Sequence, residues 1–142
     1  MTQTVFITGA SSGIGFALAR EYAQQGAVVG LLGRRADVLE QVRASLLNAQ
    51  NHETYAVDVC VESDLHAAAR DFISKHGAPD IVIAAAGISA GTWTEYYEDL
   101  AQIRRIFETN VLAMASTFHP FIAPMKARGQ GTLVGIASVA GI

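Results

Sequence analysis

A chain of 142 residues, 51% of them hydrophobic, is long enough to bury a sizeable core and suits one domain spanning 1–142. Its net charge of −3, with the signs interspersed, leaves no basic footprint for nucleic acid, and no apolar run reaches the ~20 residues that span a bilayer. The single cysteine, Cys60, excludes an internal disulfide, and a small buried thiol is its expected state.

The first predicted element is a short apolar run, Val5-Phe6-Ile7, read as a buried strand. A strand that begins by Val5 leaves no room for a signal peptide, so a soluble, cytoplasmic protein is expected. The run breaks at Gly9, and a helix opens near Gly13, with Ile14, Leu18 and Tyr22 on its expected apolar face. The helix stops by Gln25, ahead of Gly26, a natural position for the residue that ends a helix. Strand, glycine turn and helix together aim unpaired N–H groups at an anion, with about half a positive charge from the helix dipole. Gly9 suits the turn, while Gly13 and Gly15 permit close approach of a pyrophosphate and the neighbouring strand; Ser11 and Ser12 can donate hydroxyls or cap the helix. Taken alone, such glycines fit a plain tight turn as well as a phosphate loop.

Strands and helices then alternate, the pattern of a parallel α/β sheet wound on both faces. A fully apolar strand is expected over 27–32 and a helix over 36–48, with Val38, Leu39, Val42 and Leu46 inward. A third strand over 54–59 leads to a helix that carries Glu62 and Asp64 in its first turn and buries Leu65, Ala68, Ala69, Phe72 and Ile73. A fourth strand is expected over 81–84. Next come a loop of small residues holding Trp93, Tyr96 and Tyr97, and a long helix over 99–126. Its expected apolar side is Ile103, Ile106, Phe107, Val111 and Met114; Pro120 and Pro124 would kink or shorten its far end. A fifth strand over 132–137 should be buried, and no helix follows to cover it, so a chain cut off after that strand is expected.

Thr8-Gly9-Ala10-Ser11-Ser12-Gly13-Ile14-Gly15 closely resembles the cofactor loop of the short-chain dehydrogenase/reductase family, and the resemblance extends along essentially the whole sequence. It implies a Rossmann-like doubly wound sheet and an oxidoreductase that interconverts a carbonyl compound and an alcohol with a nicotinamide cofactor. Gly9, Ser11, Ser12, Gly13, Ile14 and Gly15 would then bind the pyrophosphate. After the second strand, where a carboxylate would select NAD, stand Arg34 and Arg35, which suit the 2′-phosphate of NADP. The other reading of these arginines is two solvated charges at a helix start. Asp58-Val59 resembles the family's adenine-binding pair, although Asp before a helix also serves as a cap. Ala86-Gly87 would border the ribose; Ala84-Ala85 replace two asparagines that in the family tie the central strands together.

Asn110, in Thr109-Asn110-Val111, and Ser138, in Ile136-Ala137-Ser138-Val139-Ala140-Gly141, match the family's catalytic asparagine and serine. The acid–base pair Tyr-x-x-x-Lys is absent: none of Tyr22, Tyr55, Tyr96 or Tyr97 has a lysine four residues on, and the family places that pair beyond the serine. Catalysis by the 142 residues alone is therefore expected to be very low or nil. The alternative is a non-catalytic nucleotide-binding module that pairs with another subunit. Resemblance to the family also implies homo-oligomers, formed largely through the long helix. No metal-ligand spacing occurs, and His52, His66, His76 and His119 read as surface or helix-face residues. Trp93, Tyr96 and Tyr97 either line a pocket for an apolar carbonyl compound or bury their loop against the long helix.

Overall fold

A computed structural model describes residues 1–139. Five parallel strands form one sheet in the order β3-β2-β1-β4-β5: β1 (Thr4–Thr8), β2 (Val28–Gly33), β3 (Glu53–Ala56), β4 (Ile81–Ala84) and β5 (Thr132–Gly135). The helices are α1 (Gly13–Gln24), α2 (Ala36–Ser45), α3 (Glu62–His76), α4 (Asp99–Phe107) and α5 (Ala113–Arg128), with a π turn over Glu108–Leu112 joining the last two. A short 3₁₀ turn, Ala49–Asn51, precedes β3 and follows Asn48, which is left-handed at φ 57°.

Alternation along the strands divides the core into two layers. Val5, Ile7, Val29, Leu31 and Ile83 face α1 and α2, while Phe6, Leu32 and Val82 face α3 and α5. The second layer is built on rings: Phe6 meets Phe72 edge-on at 5.4 Å and Phe121 at 4.9 Å. Gly30 makes this possible, because a Cβ there would lie 2.8 Å from the Phe72 ring. The sheet is thus doubly wound, and the first four strands fall within a few residues of their expected places.

Several expectations are corrected. In α1 the fully buried stripe is Gly15, Ala19 and Ala23, while Leu18 and Tyr22 of the expected face are half-buried and pack against the same core. Small side chains let the helix axis approach the sheet, and this turns Ile14 outward, 59% exposed. Strand β3 ends at Ala56, so Asp58 and Val59 belong to the turn before α3. Cys60 is exposed rather than buried, because the same turn carries it outward. His52, by contrast, is buried: Nδ1 accepts the Val29 N–H at 3.1 Å, and Nε2 lies 2.8 Å from the Leu47 carbonyl oxygen.

The long helix departs furthest from expectation. Phe107 and Val111 are exposed, and nothing in α4 or the π turn is buried. A π turn inserts extra backbone and shifts the face presented by everything that precedes it. Helix α5 runs past both prolines to Arg128 and ends at a left-handed Gly129. Pro120 lacks the N–H that would occupy the carbonyl of Ser116; His66 Nε2 donates to that oxygen instead, at 3.0 Å. Strand β5 is an exposed edge rather than a buried strand, because among the described residues only β4 flanks it.

Candidate active site

The loops at the carboxyl ends of β1, β2, β3 and β4 open on one cleft. The chain leaves β1 toward β2 on one side and reaches β4 on the other, so the cleft sits where the winding reverses. Open parallel sheets bind ligands at that point. Its volume is about 520 Å³.

The loop after β1 forms the floor. Gly9 has φ +67°, and a Cβ there would lie 2.7 Å from Ala86 N; a Cβ on Gly15 would lie 2.1 Å from Gly9 O. These two glycines hold strand, loop and helix against one another. Gly13 differs: its φ is +56°, and a Cβ would meet nothing within 4 Å. The space over Gly13 is open to the cleft, at the start of a helix whose first N–H groups have no partner within it. Such a cradle suits a phosphate. Ser12 is the N-cap residue of α1 but makes no side-chain capping bond, which leaves its hydroxyl to other partners.

Arg34 and Arg35 enter from the end of β2. Both are exposed, and neither joins an ion pair among the described residues. Asp58 and Val59 enter from the turn after β3. There Asp58 accepts the Cys60 N–H at 2.9 Å through Oδ1, a local turn bond that orients the carboxylate; the N-cap of α3 is Val61, so Asp58 is not the helix cap. From the end of β4, Ala86 N donates to the buried Thr8 hydroxyl at 3.3 Å, a bridge between β1 and β4 beside the alanines that replace the asparagines.

Gly9, Ser11, Ser12, Gly13, Ile14, Gly15, Arg34, Arg35, Asp58, Val59, Ala86 and Gly87 all line this one cleft. Neither residue matched to the catalytic set does. Asn110 sits in the π turn, where Nδ2 donates to the Ile88 carbonyl and Oδ1 accepts the Ile88 N–H, both at 2.8 Å. It is therefore no merely solvated helical asparagine; it clasps the strand-end loop that borders the cleft. Ser138 is exposed, past the end of β5 at the same carboxyl rim. Ala140 and Gly141 of its motif lie outside the described residues. Trp93, Tyr96 and Tyr97 are exposed, 56% to 83%, and line neither the cleft nor the core; their loop is tied to the first turn of α4 through its backbone, the Tyr96 carbonyl accepting the Asp99 N–H at 3.2 Å.

A third wall was not foreseen. Arg105, Glu108 and Thr109 line the cleft from α4 and the π turn, and Thr109 Oγ1 lies 3.3 Å from Cys60 Sγ. Helical spacing groups Arg105 with Thr109, but nothing in the sequence marks the π turn that decides where this face points. Among the described residues, no group of three or more His, Cys, Asp or Glu side chains is placed to hold a metal, and no helix is long and apolar enough to cross a membrane.

The sequence and the fold both have known counterparts. A family model described as short chain dehydrogenase matches residues 3–142. The NADPH-dependent pterin aldehyde reductase of Arabidopsis thaliana is 33% identical over 139 residues, covering 96% of this chain and 56% of the relative. A short-chain dehydrogenase from Streptomyces avermitilis superposes with a TM-score of 0.89 at 28% identity, over 99% of this chain and 51% of that one. An alcohol dehydrogenase from Thermococcus sibiricus, complexed with 5-hydroxy-NADP, gives 0.86 at 28% identity, over 94% and 57%. The chain spans about half the length of the curated relatives it matches. With a doubly wound sheet of this strand order, a glycine cradle at its winding reversal and these relatives, the chain belongs to the short-chain dehydrogenase family.

Proposed function

We propose that the cleft binds NADP(H), and that the chain is the nucleotide-binding unit, a single domain, of an oxidoreductase that interconverts a carbonyl compound and an alcohol. The observation that carries this reading is the convergence, in one cleft, of an open glycine cradle and two arginines without carboxylate partners. Gly9, Ser11, Ser12, Gly13, Ile14 and Gly15 would hold the pyrophosphate, Arg34 with Arg35 the 2′-phosphate, Asp58 and Val59 the adenine, and Ala86 and Gly87 the ribose. A guanidinium pairs bidentately with phosphate, where a carboxylate would repel it. The pterin aldehyde reductase and the NADP-bound alcohol dehydrogenase among its relatives support the same cofactor and the same substrate class.

When bound, the cofactor supplies the hydride. Ser138 would hold the substrate oxygen by a hydrogen bond from the end of β5. Asn110 would keep the loop at Ile88 in register beside it, through the reciprocal bonds it makes there. No Tyr-x-x-x-Lys lies within the 142 residues to deliver the proton. These residues therefore bind the cofactor without turning substrate over.

Titration of the chain with NADPH and NADH, followed by nucleotide fluorescence, tests the reading. NADPH should bind, and more tightly than NADH. Failure to bind either nucleotide would refute it, and NADPH-dependent reduction of an aldehyde or ketone panel would refute the expected inactivity. The second reading, a non-catalytic module that pairs with another subunit, is favoured by the exposure of Phe107, Val111 and Leu112. A coding sequence that continues beyond Ile142 into a Tyr-x-x-x-Lys would decide against it.

A further inference from the structure

The third wall of the cleft contains a charged group that the cofactor reading leaves unused. Thr109 is held beside Cys60, so the helix face that carries it is pinned against the turn holding Asp58 and Val59. Arg105 stands near the end of α4, just before the π turn that carries Thr109, and both residues line the cleft. Its side chain lines the cleft and is exposed, and it joins no ion pair among the described residues, even though Glu108 lies three residues on. Arg34 reaches the same cleft from the segment leading into α2, which covers the opposite face of the sheet from α5. Arg34 and Arg105 thus line one cleft from two separate elements, the segment leading into α2 and the end of α4.

We infer that Arg105 is a further cofactor-binding residue, one that lays its guanidinium plane against the adenine. The inference rests on the cofactor reading above, in which Asp58 and Val59 mark the adenine end. A guanidinium is planar, delocalised and weakly hydrated, and it is attracted to the faces of aromatic rings. Beside a turn that accepts the base, it meets a π-face before it meets a phosphate. Arg105 thus strengthens binding of any adenine dinucleotide, while Arg34 chooses between them.

Nucleotide titrations of Arg105→Ala and Arg105→Lys, alongside the parent chain, test this with NADPH and NADH as probes. Position 105 is exposed on a helix, and matching far-ultraviolet dichroism would establish that both variants fold. Arg105→Ala should weaken NADPH and NADH by the same factor, about three- to fivefold. Arg105→Lys, which keeps the charge and loses the plane, should weaken both to a similar degree. Parent-like affinity in both variants, a loss confined to NADPH, or full recovery with lysine would each overturn the assignment. A parent chain that binds neither nucleotide would instead bring down the cofactor reading itself, and Arg105 with it.

Discussion

Gly15 and Gly13, two residues apart in the same loop, should fail in different ways when each gains a methyl group. A Cβ at Gly15 lies 2.1 Å from Gly9 O, which is 1.3 Å inside the 3.4 Å where ordinary contact begins, and 2.7 Å from the carbonyl carbon. Both obstacles are backbone, so α1 and the loop must part. Overpacking of this severity costs about 3 kcal/mol, offset by ~1 kcal/mol because alanine suits a helix better than glycine. For a chain of this size the net ~2 kcal/mol lowers Tm by about 8 °C. Gly13→Ala meets no atom within 4 Å, and its strain is confined to a φ of +56°. That costs ~1 kcal/mol, partly recovered in the unfolded chain, so Tm should fall by about 3 °C at most. Its methyl group, however, stands in the open cradle, and NADPH affinity should drop at least tenfold on this reading, an estimate of ~1.4 kcal/mol for the displaced phosphate contacts. Thermal melts followed by circular dichroism, paired with NADPH titrations, read both axes. A Gly15→Ala protein that melts within about 2 °C of the parent would refute the steric argument. So would a Gly13→Ala protein that binds NADPH as well as the parent, for the cradle.

Other consequences can be checked singly. Arg34→Asp replaces a phosphate-pairing guanidinium with a carboxylate and should reverse the preference to NADH, a swing of about ten- to a hundredfold in relative affinity; an unchanged ratio in nucleotide titrations would remove Arg34 from the site. Asn110→Ala breaks both bonds to Ile88 and should cost about 1–2 kcal/mol by urea unfolding, with faster hydrogen exchange at the Ile88 amide; unchanged exchange there would show that the clasp does not hold the loop. On the α3–β3 surface, hydrogen bonds from Lys75 and then Tyr55 hold Asp71 below the usual carboxylate range. Burial pushes Glu53 up, but hydrogen bonds from Lys75 and His76 outweigh it, and its net shift is also downward. Carboxylates with depressed values stabilise the fold above their unfolded value of about 4, and that stabilisation is lost as pH falls through the folded value. The Tm advantage of the parent over Lys75→Met should therefore hold from pH 7 to about 5 and shrink below about 4. An advantage that grows in acid would contradict the sign. Lys75 itself is raised by Asp71 and Glu53, so its stabilisation is full below its unfolded value of about 10.4 and falls away as pH rises past the folded value.

What the sequence settled was whatever depends on local spacing. Apolar runs broken by glycine gave the strand and helix alternation. The loop from Gly9 to Gly15 and its bordering arginines were legible because phosphate binding needs bare amides and fixed cations, and both are written as residue types at short range. That these residues face one cleft follows from the parallel sheet, whose strand ends all lie on one side.

The tertiary structure decided the rest, since it depends on which faces meet. Leu18 and Tyr22 pack against the core as their spacing predicts, yet the tightness of Gly15 against Gly9 gives the closest approach to Gly15, Ala19 and Ala23 and leaves Ile14 exposed. Periodicity finds a face but cannot rank an apolar one against a small one when close approach is at stake. His52 read as a surface residue because only the folded register of β2 brings the Val29 N–H to its ring. No spacing within residues 99–112 announces the π turn, in which Asn110 bonds to Ile88, 22 residues away in the chain, and Glu108 and Thr109 border the cleft.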